Sequence, residues 1–232
     1  MSEPSKRVVV TGAAGALGAA VARAFIAAGA SLALVDRAGP SQDLQKVVTS
    51  PHFFLDGIDL TDPAHARRAM DTAVSRLGGI DVLVNIAGGF RWETIAGGSL
   101  ETWDFLYSIN LKTALCACKA ALGHLPAGRG RIINVGAAAA AKAGMGMGAY
   151  TASTAGVAKL TEALAEELKD KGVNVNAVLP TIIDTPANRA DMPEADFTRW
   201  VEPQALADVI LFLSSHAARA ITGASILVAG RV

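Results

Sequence analysis

Thr11-Gly12-Ala13-Ala14-Gly15-Ala16-Leu17-Gly18 follows the β-branched run Val8-Val9-Val10 and leads directly into an alanine-rich stretch. Glycines so spaced between a strand and a helix let the backbone turn tightly. N–H groups and the positive end of the helix dipole then meet a pyrophosphate. Gly12, Gly15, Ala16, Leu17 and Gly18 are therefore the candidate phosphate contacts. Asp36 ends the next apolar run, where a carboxylate accepts from a ribose 2′-OH and opposes a 2′-phosphate. That favours NAD(H). Arg37 follows at once and could pair a 2′-phosphate, so NADP(H) is the alternative. Asp36 could equally cap the loop that follows it.

The elements that must hold these residues alternate between short apolar runs and longer alanine-rich segments, the pattern of strand-helix-strand units around a parallel sheet. Strands are predicted at 7–11, 31–35, 52–55, 81–86, 131–135, 174–179 and 225–228, and several read as continuous apolar runs, as doubly covered strands do. Helices are predicted at 16–28, 63–77, 100–122, 150–171 and 203–214, with a weaker one at 41–49. The helix at 100 starts after Ser99 as N-cap, and Gly123 closes it. Residues 181–202, rich in Pro, Asp and aromatic side chains, lie just beyond the carboxyl end of the sixth strand. Open α/β sheets bind ligands there, which makes the segment a candidate substrate lid.

Composition narrows the function classes. The chain has 232 residues, 21 Lys+Arg against 21 Asp+Glu, 51% hydrophobic and 18% charged residues. Zero net charge speaks against a nucleic-acid partner held by phosphate charge, and the apolar balance against a disordered chain. Cys116 and Cys118 stand about 200° apart around a helix, too divergent to pair or to clamp a metal. His52, His65, His124 and His216 are scattered, so no metal site is expected. No apolar run is long enough for a membrane span, and the polar N-terminus lacks secretory features. The expectation is a cytoplasmic protein acting on a small molecule.

Taken together, these residues resemble the short-chain dehydrogenase/reductase family over almost the whole chain. The matching positions are Thr11, Gly12 and Gly18 of the turn, Asp59 in Ile58-Asp59-Leu60-Thr61, Asn85-Ile86-Ala87-Gly88, Asn110 and Tyr150. The resemblance implies a single-domain α/β, doubly wound Rossmann fold spanning 1–232, with a seven-stranded parallel sheet and helices on both faces. It also implies cofactor contacts at Asp59, Leu60, Asn85, Ala87, Gly88 and Pro180, and a homodimer or homotetramer. Two members of the family's catalytic set differ. Its serine position, counted back from Tyr150, falls on Ala137, and the lysine of its Tyr-x-x-x-Lys motif falls on Thr154. In the family the Ser holds the substrate oxygen, the Tyr passes the proton, and the Lys binds the ribose while lowering the Tyr pKa. An unaided tyrosine has a pKa of about 10, so near pH 7 about one molecule in a thousand is phenolate. Alcohol oxidation, which needs that base, should suffer most, and reduction less. Thr154 could offer the ribose a hydroxyl, but no charge.

A narrower resemblance, to the dihydropteridine reductase group, rests on Gly15-Ala16-Leu17-Gly18, Ala87-Gly88-Gly89-Phe90, Ala137, and the stretch from Asp184-Thr185-Pro186 through Met192-Pro193-Glu194-Ala195-Asp196-Phe197 to Trp200. It implies NADH-dependent reduction of an activated carbonyl or quinonoid, pterin-like acceptor. It also accounts for Ala137 but not for Thr154. Phe90, Thr185 and Trp200 are then candidate lid residues, with Phe90 and Trp200 as walls for a flat ring. The alternative is a dinucleotide-binding protein without turnover, serving as a cofactor sensor or oligomer subunit.

Overall fold

Alternation within the strands decides where the core lies. In β1 (Arg7–Thr11), Val8 and Val10 point to one face and Val9 to the other, and all three are fully buried. A strand buried on both faces needs helices on both faces. The computed structural model, which describes residues 5–232, has this arrangement. Seven parallel strands run in the order β3-β2-β1-β4-β5-β6-β7. The other six are β2 (Ser31–Val35), β3 (Phe53–Leu55), β4 (Val82–Asn85), β5 (Arg131–Val135), β6 (Asn174–Pro180) and β7 (Ser225–Val228). The order reverses between β1 and β4, and a crevice opens there beyond the carboxyl ends of the strands.

One face is covered by α1 (Ala16–Ala27) and α8 (Pro203–Ser214), with Phe25, Leu206 and Ile210 against Val8, Val10, Leu32 and Leu34. The opposite face is covered by α3 (Pro63–Leu77), α5 (Thr113–Ala121) and α6 (Gly148–Leu168), which bury Met70, Ala117 and Leu164 around Val9, Leu83 and Ile132. The remaining helices are α2 (Gln42–Val47), α4 (Leu100–Leu106) and α7 (Pro186–Asp191). Ser41, Asp62, Ser99 and Thr185 each cap a helix by accepting from a backbone N–H.

Most boundaries fall within two residues of expectation, the usual fraying range. Three differences go beyond it. The single helix expected over 100–122 is α4 and α5 joined by a π-helical turn, Tyr107–Lys112. Gly123 does not close it in the left-handed conformation, since its φ is not among the positive ones. The 181–202 segment, over which no helix is expected, carries α7.

A polar chain crosses the centre of the sheet. Asn85 Nδ2 donates to Asn134 Oδ1 at 2.9 Å, and Asn134 Nδ2 donates to Thr161 Oγ1 at 2.9 Å. Cys118, against the same amide, is so desolvated that its thiol is pushed up to about 12. Asn134→Ala should cost about 1–3 kcal/mol, because it leaves the buried polar groups of Asn85 and Thr161 without their partner. The measurement is the urea midpoint, and an unchanged midpoint would show that the chain carries no stability.

Candidate active site

At the β1–α1 turn, Gly12 has φ +67°, and a Cβ there would lie 2.6 Å from Ala87 N. A Cβ on Gly18 would collide with the Gly12 carbonyl. Both glycines are therefore required for the backbone to pass this closely. No side chain caps the amino end of α1, and no carboxylate stands in its first turn. Its N–H groups and dipole are left for an anion.

Asp36 lines the crevice beside the β1–α1 turn. Its carboxylate accepts from Ala14 N at 2.9 Å and from Ala38 N at 3.0 Å, which pins it beside the turn. It thus caps its own loop while lining the crevice. Arg37 is exposed alongside. Asp59 accepts from both Thr61 N and Thr61 Oγ1, and these bonds hold its carboxyl below the usual range.

The 86–89 segment hangs between two anchors. Thr11 Oγ1 accepts from Ile86 N at 3.1 Å, and Asn110 Oδ1 accepts from Gly89 N at 2.7 Å. Asn110 sits in the π turn, and its Nδ2 donates to Ser153 Oγ, which in turn donates to the Tyr150 carbonyl at 2.8 Å. One amide therefore joins the loop, the π turn and α6. π turns recur at functional sites.

Tyr150 lines the crevice with Phe90 edge-on against it, ring centroids 4.9 Å apart at 88°. Burial pushes its hydroxyl above the usual phenol range. Among the described residues no hydrogen bond holds that hydroxyl, and no cation stands beside it. Thr154 also lines the crevice and is buried, but its hydroxyl donates back into its own helix, to the Tyr150 carbonyl at 3.0 Å or the Thr151 carbonyl at 3.2 Å. Its proton is committed there, and its oxygen keeps a lone pair that can accept from a ribose O–H. Lys142 is exposed and outside the crevice lining, and Lys159 pairs with Glu162 at 2.8 Å.

Nearly all the expected cofactor residues are gathered in one crevice of about 1210 Å³: Gly12, Gly15, Ala16, Leu17, Gly18, Asp36, Arg37, Asp59, Leu60, Ala87, Gly88 and Pro180, with Asn110, Tyr150, Thr154 and Phe90. Four residues are not. Asn85 points into the polar chain of the sheet, because its side chain lies on the core side of β4. Ala137 is buried and outside the lining, where Gly136 takes its place. Trp200 is 6% exposed and packs on Phe197, so it is no wall for a ring. Thr185 spends its hydroxyl on capping α7.

The 181–202 segment meets the crevice through Thr181, Ile183, Ala187, Asn188 and Asp191, none of which sequence reasoning picked out as a site residue. Thr185-Pro186, a cap followed by proline at the first helical position, was the available signal. Asn188 and Asp191, three apart, then share one helix face. Phe105 and Ser108, from either side of the α4–π junction, were also missed.

Among the described residues no group of three or more His, Cys, Asp or Glu stands together as a metal site, and no helix is long and apolar enough to cross a membrane. The glycine cradle, the uncapped helix and the pinned carboxylate fit a nicotinamide dinucleotide: Gly12 to Gly18 for the pyrophosphate, Asp36 for the adenosine ribose. A doubly wound parallel sheet with this crevice at its switch point defines a Rossmann-type, NAD(P)-binding oxidoreductase fold. The chain belongs to the short chain dehydrogenase family, whose sequence model matches residues 6–196.

Relatives include a D-threitol dehydrogenase of Mycolicibacterium smegmatis, 34% identical over 97% of this chain and 92% of that protein. A 3-alpha-(or 20-beta)-hydroxysteroid dehydrogenase of Mycobacterium tuberculosis is 31% identical over 97% of this chain and 88% of its own length. Among solved structures, a short chain dehydrogenase from Burkholderia cenocepacia in complex with NADP superposes with a TM-score of 0.87 at 32% identity, covering 97% of this chain and 96% of that one.

Proposed function

We propose that the protein is an NADH-dependent reductase of an activated carbonyl or quinonoid, pterin-like acceptor, with Tyr150 as proton donor. The carrying observation is a phenol that lines the crevice, is raised in pKa by burial, and has no cation or hydroxyl partner among the described residues. Ala137 and Thr154, at the family's serine and lysine positions, supply neither. Such a phenol holds its proton near neutrality, so it can give one but hardly take one. A bound reduced nicotinamide supplies hydride. The Tyr150 O–H supplies the proton to the acceptor's oxygen or nitrogen, so hydride and proton add across the C=O bond of a simple carbonyl or across the conjugated system of a quinonoid acceptor, two electrons and two hydrogens in either case. An electron-poor acceptor best tolerates a weak acid. The resemblance of 184–200 to the dihydropteridine reductase group supports the pterin-like choice.

Asn110 acts from behind, fixing the 86–89 loop and, through Ser153, the turn of α6 that carries Tyr150. Residues 181–202 serve as the lid. The working unit is a homodimer or homotetramer in the cytoplasm, as the family resemblance implies. A second reading, nucleotide binding without turnover as a sensor or oligomer subunit, draws on the same bare phenol.

NADH preference rests on Asp36, whose carboxylate is tied to Ala14 N and cannot swing away from a 2′-phosphate. Asp36→Ala should bring the NADPH-to-NADH dissociation-constant ratio toward one in a fluorescence titration. An unchanged ratio would remove Asp36 from the ribose. The same titration, followed by turnover assays with a quinonoid dihydropterin, quinones and ketones, tests the main reading. Binding of NADH with no turnover of any acceptor would select the second one.

A further inference from the structure

Phe90 is 53% exposed, yet its ring lies edge-on against Tyr150. A phenylalanine with half its surface open to a crevice is not placed by core packing. The backbone around it is nonetheless held on both sides. Gly89 N is bonded to Asn110, the Arg91 guanidinium lies 3.9 Å from the Phe105 ring centroid, and Trp92 Nε1 donates to the Met145 carbonyl at 2.9 Å. Trp92, as exposed as Phe90, is accounted for by that bond and by the backbone of Gly146 against its ring. Phe90 has no polar handle. It is an apolar surface fixed beside the proton donor.

We propose that Phe90 is a positioning and specificity-determining residue, which sets the Tyr150 ring and presents its open surface to a planar, conjugated acceptor. This deepens the reductase reading and rests on it. The Tyr150 hydroxyl has no hydrogen bond to orient it among the described residues, where the edge-to-face pair is the one aromatic contact its ring makes. Aromatic pairs of this geometry change an equilibrium about two- to tenfold beyond area burial. The same ring stacks with a flat acceptor and gains little from a small aliphatic one.

The test uses the full chain with NADH and two activated acceptors, menadione as the planar one and 2,3-butanedione as the aliphatic one. Phe90→Leu keeps the volume and removes the ring. It should raise the menadione KM about fivefold and the butanedione KM less than about twofold, with kcat lowered on both. Phe90→Tyr should restore the menadione KM. NADH affinity measured by fluorescence should stay at the parent value, which excludes misfolding. Equal KM changes on the two acceptors, or parental kinetics in Phe90→Leu, would overturn the proposal.

Should the parent turn over neither acceptor, the reductase reading falls by itself, and menadione binding measured by calorimetry then decides on Phe90. Weaker binding in Phe90→Leu with recovery in Phe90→Tyr supports the platform. Unchanged binding refutes it.

Discussion

Tyr150→Phe is expected to lower NADH-dependent reduction about 100-fold or more, the range lost when a positioned proton donor is removed. NADH affinity and fold should be preserved. The substitution keeps the ring that Phe90 packs against, and the lost hydroxyl makes no hydrogen bond among the described residues. The pH profile gives a second reading of the same group. Reduction needs the protonated phenol, and burial raises its pKa, so the rate should stay flat across neutrality and fall only above about pH 10. Oxidation of the product needs the phenolate, so its rate should climb with pH over the same range. A Tyr150→Phe rate within twofold of the parent would mean that the proton comes from water.

Thr154→Lys should raise turnover about tenfold or more in both directions. Thr154 lines the crevice one helical turn beyond Tyr150, so a lysine there brings a cation toward the phenol. A nearby positive charge favours the phenolate and lowers the Tyr150 pKa, and each unit it falls yields tenfold more base near neutrality. The alkaline climb of the oxidation rate should therefore move to lower pH. Reduction gains too, because an acid with a pKa nearer ambient transfers its proton more readily. The threonine hydroxyl gives up only a bond into its own helix, a small structural loss. Equal rates before and after would count against catalysis by Tyr150.

The fold was legible because its signals are local. Val8-Val9-Val10 and Leu32-Ala33-Leu34 read as strands covered on both faces, and the glycine spacing at 12–18 required a tight turn onto a helix. What escaped depends on direction rather than on position. Asn85 sits in the expected strand, but strand alternation turns its side chain to the core, toward a partner 49 residues away. Trp200 lies in the expected lid, yet which side of an irregular segment faces inward is not periodic. Ala137 precedes a 3-10 turn whose path moves its methyl out of the crevice. The π turn left no trace because one extra residue within a helix adds no Gly, Pro or other punctuating residue for a pattern to read.

That π turn also governs how the gene can change in length. A π turn holds one residue more than the α turn it replaces, so Tyr107–Lys112 behaves as a single-residue insertion inside a helix. Losing one codon inside the segment would close the ladder into an ordinary helix and leave 100–106 and 113–121 in their present phase, because the π turn takes up the extra residue locally. What changes is the aim of the side chains within the turn, so that Asn110 would lose its reach to Gly89 and Ser153. An in-frame deletion of three bases here would therefore spare the packing of the helix and cost the Asn110 bridge.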